Sequence, residues 1–343
     1  MSKLNNISIN ITLQTAPTKQ AGFGLALVLG SGASEKAYAE VGELSEMTAA
    51  GYTSSDAEYK IVQAILAQSP RVEKVAVYRK LDATEYADAL DALVTANKGG
   101  WYCVVPTSTT PADLADIADW VEASDRIMLG LGDDIADVST RTGNRESYWF
   151  HSDLTSLIHA RLAGVCLPYD PGEVTWAHKR ASGATDSGFD QTVTDAIIAA
   201  NGNVFAENAS GFIVSYPGKM MSGEFIDVIT SRDYVKARLT EALSRLLTVN
   251  GKVGYTIREF ERVEAEMRSV FNDCGRRKII ATVDNEDDLA RSDEGRYQYK
   301  ITLPTSLDDI PTADRSNRIL PISFSFRIAG AVHDLDIDGT ITV

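Results

Sequence analysis

The residues able to carry chemistry are few and scattered. The best nucleotide-binding candidate is the run Gly30–Lys36 (GSGASEK), which follows an apolar strand-like segment and precedes a helical pattern. A phosphate-binding loop of the form G-x-x-x-x-G-K-[ST] cradles phosphate on backbone N–H groups, reaches it with lysine and holds magnesium with the hydroxyl. Here Lys36 is followed by Ala37 instead of a hydroxyl residue, and Glu35 beside it repels phosphate. The dinucleotide fingerprint would need a further glycine where Glu35 stands. The run therefore reads as a glycine-rich strand-to-helix turn.

Metal and nucleophile chemistry fares no better. The four histidines, His151, His159, His178 and His333, include no pair spaced i, i+4 around a carboxylate, so the zinc-protease arrangement is missing. No G-x-S-x-G elbow occurs. Asp133-Asp134 and the alternating Asp334, Asp336 and Asp338 are raw material for a cation site, but neither set has the calcium-loop spacing with its glycine and final glutamate. A solvated strand face is the plainer reading of the second set. Cys103, Cys166 and Cys274 are odd in number and far apart, which gives neither a disulfide framework nor a zinc spacing. Intracellular folding is expected, and Cys103 reads as a small buried residue. No catalytic residue, cofactor-binding residue or metal ligand is assigned.

Charge is more informative. The 343 residues hold 33 Lys+Arg and 48 Asp+Glu, a net charge of -15. Such a chain lacks the cationic field expected of a sequence-independent nucleic-acid or anionic-membrane binder. The acidic excess sits in residues 1–230, whereas 231–343 is close to neutral and arginine-rich. Within it, Arg276-Arg277-Lys278 follows a long helical pattern. Cations there complement the helix dipole, which explains them well; the sharper reading is a contact for an acidic partner. The acidic run 284–294 reads as a solvated loop.

The elements that would position these residues fall into blocks. Residues 5–13 alternate strictly, with Ile7, Ile9, Ile11 and Leu13 on one face, the period of a half-buried strand. No apolar signal-peptide core precedes it, and no 18-residue apolar run occurs anywhere. After a linker at 14–20, a buried strand is expected at 23–30 and helices at about 34–49 and 54–68. Strands at 72–78, 101–106 and 125–132 then alternate with helices at 84–99 and 111–123, the pattern of a parallel, helix-covered sheet. Short strands over 203–221 lead to two long amphipathic helices, about 222–249 and 256–274. The second opens with Thr256 and Glu259, a capping-box pair, and ends at Gly275. A strand is expected at 296–303. The tail alternates again, with Leu335, Ile337, Ile341 and Val343 on one face. Unpaired strands at both ends need an edge to join, their own or another subunit's.

Five segments in order carry a resemblance. They are ITLQTAPTKQAGFGLALVLG at the start, EYKIVQAILAQSPRVEKVAVYR (58–79), TWAHKRASGAT (175–185), GKMMSGEFIDVITSRDYVKARLTEAL (218–243) and LPISFSFRIAGAVHDLDIDGTITV at the end. Together they resemble the contractile tail sheath family, in particular a compact branch from long-tailed bacteriophages. Residues 80–170 carry least of the likeness.

The resemblance implies an α/β and α+β subunit of two domains. Residues 1–22 would be an N-terminal strand arm, 23–202 an outward α/β domain, 203–330 a core domain whose long helices face a tube, and 331–343 a C-terminal strand arm. It implies hexameric rings stacked helically around a tail tube and linked by exchanged terminal strands. Partners would be other copies of the chain, the tube protein, the baseplate and the tail terminator. Direct contact with nucleic acid and insertion into a membrane are not expected, and no cofactor is. The implied place is the virion tail, assembled in the host cytoplasm. Arg276, Arg277 and Lys278 become candidate tube contacts. Two other readings stand beside this one: the sheath of a phage-derived bacteriocin or injection system, and a Rossmann-like nucleotide-binding enzyme.

Overall fold

A computed structural model describes residues 23–249 and 252–334. The terminal strand arms expected at Ile7–Leu13 and Leu335–Val343 lie outside the described residues.

Six strands form one sheet: β1 (Ala26–Gly32), β2 (Lys36–Val41), β3 (Val75–Leu81), β4 (Cys103–Pro106), β5 (Ile127–Gly132) and β6 (Glu146–Phe150), in the order β2-β3-β1-β4-β5-β6. All neighbours run parallel except β2, which pairs antiparallel with β3 at one edge. Alternate side chains of these strands feed two cores. Val28, Val77, Val105 and Leu129 face α2 (Ala57–Leu66) and α5 (Ile158–Cys166). Leu27, Leu29, Val104 and Met128 face α3 (Tyr86–Thr95) and α4 (Pro111–Ala123). Apolar residues at both parities are what a parallel sheet covered on both faces requires. Pro111 opens α4, where its missing N–H costs no hydrogen bond.

One expected helix is a strand. Residues 36–41 form β2, and only Leu44–Ala49 (α1) is helical in the span 34–49. The reason lies outside the segment. Strand β3 offers an open edge, and Lys36 is fixed there by an ion pair of 3.0 Å with Asp56. The turn after Gly30 is therefore strand-to-strand, not strand-to-helix. Gly30 itself is needed for close approach, because a Cβ there would lie 1.8 Å from the Glu58 carboxylate.

Beyond β6 the chain forms α6 (Gln191–Ala199) and the hairpin β7 (Val204–Glu207) with β8 (Ile213–Tyr216). The hairpin packs on the β6 end of the sheet. Asn203 bridges to Trp149, and the rings of Phe205 and Trp149 lie 5.8 Å apart. Asn203 is fully buried and every bond its amide offers is used: its Nδ2 donates to Ser147 and to the Tyr148 and Lys219 carbonyls, and its Oδ1 accepts from the Gly218 and Lys219 N–H groups.

The long helices follow as α7 (Ile226–Val249) and α8 (Ile257–Arg276). Helix α7 is shared between cores. Ile226 and Ile229 pack under the sheet, whereas Tyr234, Val235, Leu239 and Leu246 enter a third core. That core also holds Val263, Met267 and Phe271 of α8 and the hairpin of β9 (Tyr299–Thr302) and β10 (Ser323–Phe326). Between these pieces lie two short helices, α9 (Glu286–Leu289) and α10 (Thr312–Asn317). Thr256 stands at the N-cap of α8 as expected, with backbone closure only and no side-chain cap bond. Helix α8 continues through Gly275, where a Cβ would sit 2.5 Å from the Tyr297 ring, so this glycine serves packing and not termination.

Candidate functional site

The seam between the sheet and the helix pair carries the most organised polar geometry. Asp233 of α7 is buried against the N-terminal ends of the parallel strands. Its carboxylate receives two bonds from Arg145, at 2.6 and 3.0 Å, and one from the Tyr102 hydroxyl at 2.7 Å. Arg145 also reaches Asp125, which Lys236 of α7 meets at 2.6 Å. Burial beside the Asp233 anion pushes the Tyr102 phenol well above its ordinary value, so it stays a neutral donor. A two-pronged arginine–carboxylate contact fixes orientation as well as distance. No strand or helix propensity marks this triad, and its members are 131 residues apart at the extreme.

Beside the triad opens a cleft of about 890 Å³, lined by Phe23, Arg71, Tyr102, Leu167, Tyr234 and Arg238 among others. Phe23, the first described residue, packs its ring 4.5 Å from Tyr102 and 5.4 Å from Tyr234. The cleft lies at the N-terminal ends of the parallel strands. In open α/β sheets nucleotides bind at the opposite, carboxyl ends, so this cleft is not the crevice of a Rossmann-type site.

The sequence candidates for chemistry find other duties. Lys36 pairs with Asp56 and lies 4.4 Å over the Tyr52 ring. Arg79 completes that cluster by pairing with Asp56 at 2.7 Å and with the buried Glu58. The Thr53 backbone N–H and the Arg79 guanidinium hold the Asp56 carboxyl well below the usual carboxylate range. Asp134 caps a turn by accepting from the Ala136 N–H, and Asp334 accepts from the Tyr216 hydroxyl. All three cysteines are buried free thiols. Burial lifts the Cys274 thiol to about 12 and the Cys103 and Cys166 thiols higher still, so none is a thiolate at neutral pH. Among the described residues no group of His, Cys, Asp and Glu side chains could hold a metal ion. No helix of the described residues is long and apolar enough to cross a membrane.

The basic cluster divides. Arg277 turns inward: it meets Asp273 at 3.1 Å and Asp170 of the loop after α5, tying the end of α8 to the sheet-bearing part. Arg276 is exposed and pairs with Asp273 at 3.2 Å within its own helix. Lys278 sits just past the helix at φ 61° and is exposed. Among the described residues it has no ionic partner. The three side chains thus adjoin but do not act as one patch; Arg276 and Lys278 face outward.

The root of the C-terminal tail is also placed. Ile328 bridges to Ile280, and the Ala329 N–H donates to the Ile279 carbonyl. Residues 331–334 then run back to the sheet-bearing part, where His333 meets Thr175, His178 and Phe225.

No protein-family model and no curated protein matches the chain. Solved structures do match it along its whole length. A chain of the sixfold-symmetrised anti-feeding prophage baseplate is 12% identical, with a TM-score of 0.72 over 100% of both chains. A chain of the sheath complex of the extracellular contractile injection system PVC, in its contracted state, is 9% identical, with a TM-score of 0.72 over 99% of this chain and 96% of that one. The sheath tail protein of Listeria innocua is 10% identical, with a TM-score of 0.51 over 84% of this chain and 93% of its own. The mixed α/β fold is thus that of contractile sheath proteins.

Proposed function

We propose that this chain is the structural subunit of a contractile sheath. The observation that carries the reading is the whole-length fold match to sheath chains of phage-like injection systems, joined by five sequence segments whose order resembles the contractile sheath family. A role in assembly rather than catalysis fits the structural use of Lys36 in an ion pair, of Asp134 in a turn cap and of the thiols in the cores. In this reading copies of the chain form hexameric rings that stack helically around a tube, and contraction is a rigid-body rearrangement of subunits. The sixfold symmetry of one neighbour and the contracted state of another support that form. Tube, baseplate and terminator proteins would be the further partners.

The geometry adds reasons of its own. A subunit that moves as one body must resist bending between its parts. Helix α7 runs unbroken through both cores, and the Arg145–Asp233–Tyr102 contact locks it to the sheet. We assign residues 23–202 to the outer body and 203–330, with its long helices α7 and α8, to the tube side. Residues 1–22 and 331–343 serve as arms that pair with neighbouring copies by strand addition. Arg276 and Lys278 are the outward-facing candidates for a screened contact with an acidic tube. An injection-system or bacteriocin sheath is the second reading, favoured by the better superposition on the injection-system chains than on the Listeria tail protein.

Electron microscopy of the purified chain, alone and with its cognate tube protein, is the test. The expected result is striated hollow tubes of uniform width. Monomers or dimers under every condition, with no binding to tubes, would overturn the reading.

A further inference from the structure

Two of the four histidines meet at the point where the tail leaves the described structure, although they are 155 residues apart. His178 Nε2 lies 2.9 Å from the His333 carbonyl oxygen, so it must donate there. His178 holds φ 57°, a left-handed conformation that a non-glycine residue adopts only when its surroundings enforce it. His333 Nε2 lies 2.7 Å from Thr175 Oγ1. The His333 ring stands edge-on to Phe225 at 4.5 Å and to His178 at 6.0 Å. The next residue, Asp334, accepts from the Tyr216 hydroxyl at 3.0 Å. Four side chains from the sheet-bearing part thus grip two residues of the tail.

The grip is built for a neutral His333. Its Nδ1 is buried and has no hydrogen-bond partner. With Nε2–H donating to Thr175, a bare lone pair at Nδ1 is tolerable, whereas an N–H there would be a buried donor with no acceptor. The charged groups around the ring are mixed. Asp227 on α7 and Asp334 on the tail favour the cation; His178 and Lys179 on the facing loop oppose it. Asp227 makes no hydrogen bond to the ring and instead accepts from the Val228 N–H. Lys219 lies over the other partner ring, Phe225, at 5.5 Å. Burial is the largest influence, and it holds His333 below its ordinary value.

We propose that the His178–His333 contact is an acid-released latch holding the root of the C-terminal tail to the sheet-bearing part. Above about pH 6.5 the seated His333 ring is neutral and the latch is closed. As pH falls, His333 gains a proton more readily when released than when seated, because the buried ring offers the new Nδ1–H no acceptor. Release frees residues 331–334 from the sheet-bearing part. The latch belongs to the isolated subunit, so its test stands or falls apart from the sheath reading.

Limited proteolysis of the full chain with a protease of broad specificity reads the latch directly. Cleavage between residues 329 and 334 is scored by mass spectrometry and normalised to a free peptide of the same sequence at each pH. The expected result is a rise of up to about tenfold in normalised cleavage from pH 7.5 to 5.5, one pH unit below the ordinary histidine value. Cleavage in Tyr299–Thr302 should stay constant. Gln places an amide nitrogen where Nε2 sits but does not titrate, so His333→Gln should show equal cleavage at both pH values. An unchanged wild-type rate, or the same rise in His333→Gln, would overturn the proposal. If that variant fails to fold, the proton NMR titration of His333 in the wild type decides. A midpoint below that of a free histidine, coincident with the cleavage rise, supports the latch, and an ordinary midpoint removes it.

Discussion

A fully buried histidine should make this protein less stable in acid. His159 on α5 is 1% exposed, and among the described residues the Pro106 backbone is the one polar group set against its ring. Burial pulls it from 6.5 to about 4. The folded value is depressed for a group that charges by gaining a proton. The unfolded chain therefore binds more protons between pH 6.5 and 4, and stability falls as pH drops through that window. Chemical denaturation at pH 7 and pH 5 should show a loss of about 2 kcal/mol from this residue. His159→Met should remove most of that pH dependence; an equal slope in the variant would clear His159 of the effect. Asn203 is the matching lesson in satisfied polarity. Its hub of five bonds is invisible in sequence because four of the partners are backbone groups and the fifth, the Ser147 hydroxyl, comes from distant β6.

Among elements, α7 carries the greatest structural consequence. Removing one partner of its buried ion pair leaves the other only a more exposed second partner, Asp125 for Arg145 and Arg232 for Asp233, so Asp233→Asn and Arg145→Met should each cost about 3 kcal/mol, the low end for a broken buried pair. The double variant should cost less than the sum of the two, as measured by urea denaturation. Strict additivity would show that the pair is not coupled. In the third core, Phe271 is fully buried, stacks on Tyr299 at 4.9 Å and touches Phe324 and Phe326. Phe271→Ala should cost about 3–5 kcal/mol and loosen the β9–β10 hairpin first. The period of α7 and α8 was legible because one face of each is buried. Strand β2 was not, because Lys36–Val41 is an edge whose partner and ionic anchor come from residues 56–81.

For the whole molecule, the terminal arms and the outward cations are the parts the sheath reading depends on. Deleting residues 1–14 or 335–343 should leave the subunit folded, with an unchanged denaturation midpoint, and should abolish long polymers in electron micrographs. Normal polymers from both truncations would sink the exchanged-arm idea. Charge reversal at Arg276 and Lys278 should weaken tube binding most at low ionic strength, since exposed contacts are screened within about 10 Å at 0.1 M salt. Arg277 is excluded from that test, because its reversal would break the tie to Asp170 and disturb the subunit itself.

What the sequence by itself determined is the local and periodic part. It supplied the parallel sheet between residues 72 and 132, the two long amphipathic helices, the absence of any recognisable catalytic spacing and the order of motifs that resembles a sheath. These follow from periods of 2 and 3.6 residues and from composition, which need only neighbours along the chain. Tertiary structure alone decided how they join. It seated Asp233 between Arg145 and Tyr102, turned Arg277 inward, made residues 36–41 a strand and brought His178 to His333. Each of these depends on contacts between residues far apart in sequence, or on an edge that exists only once the sheet has formed, and no local period encodes them.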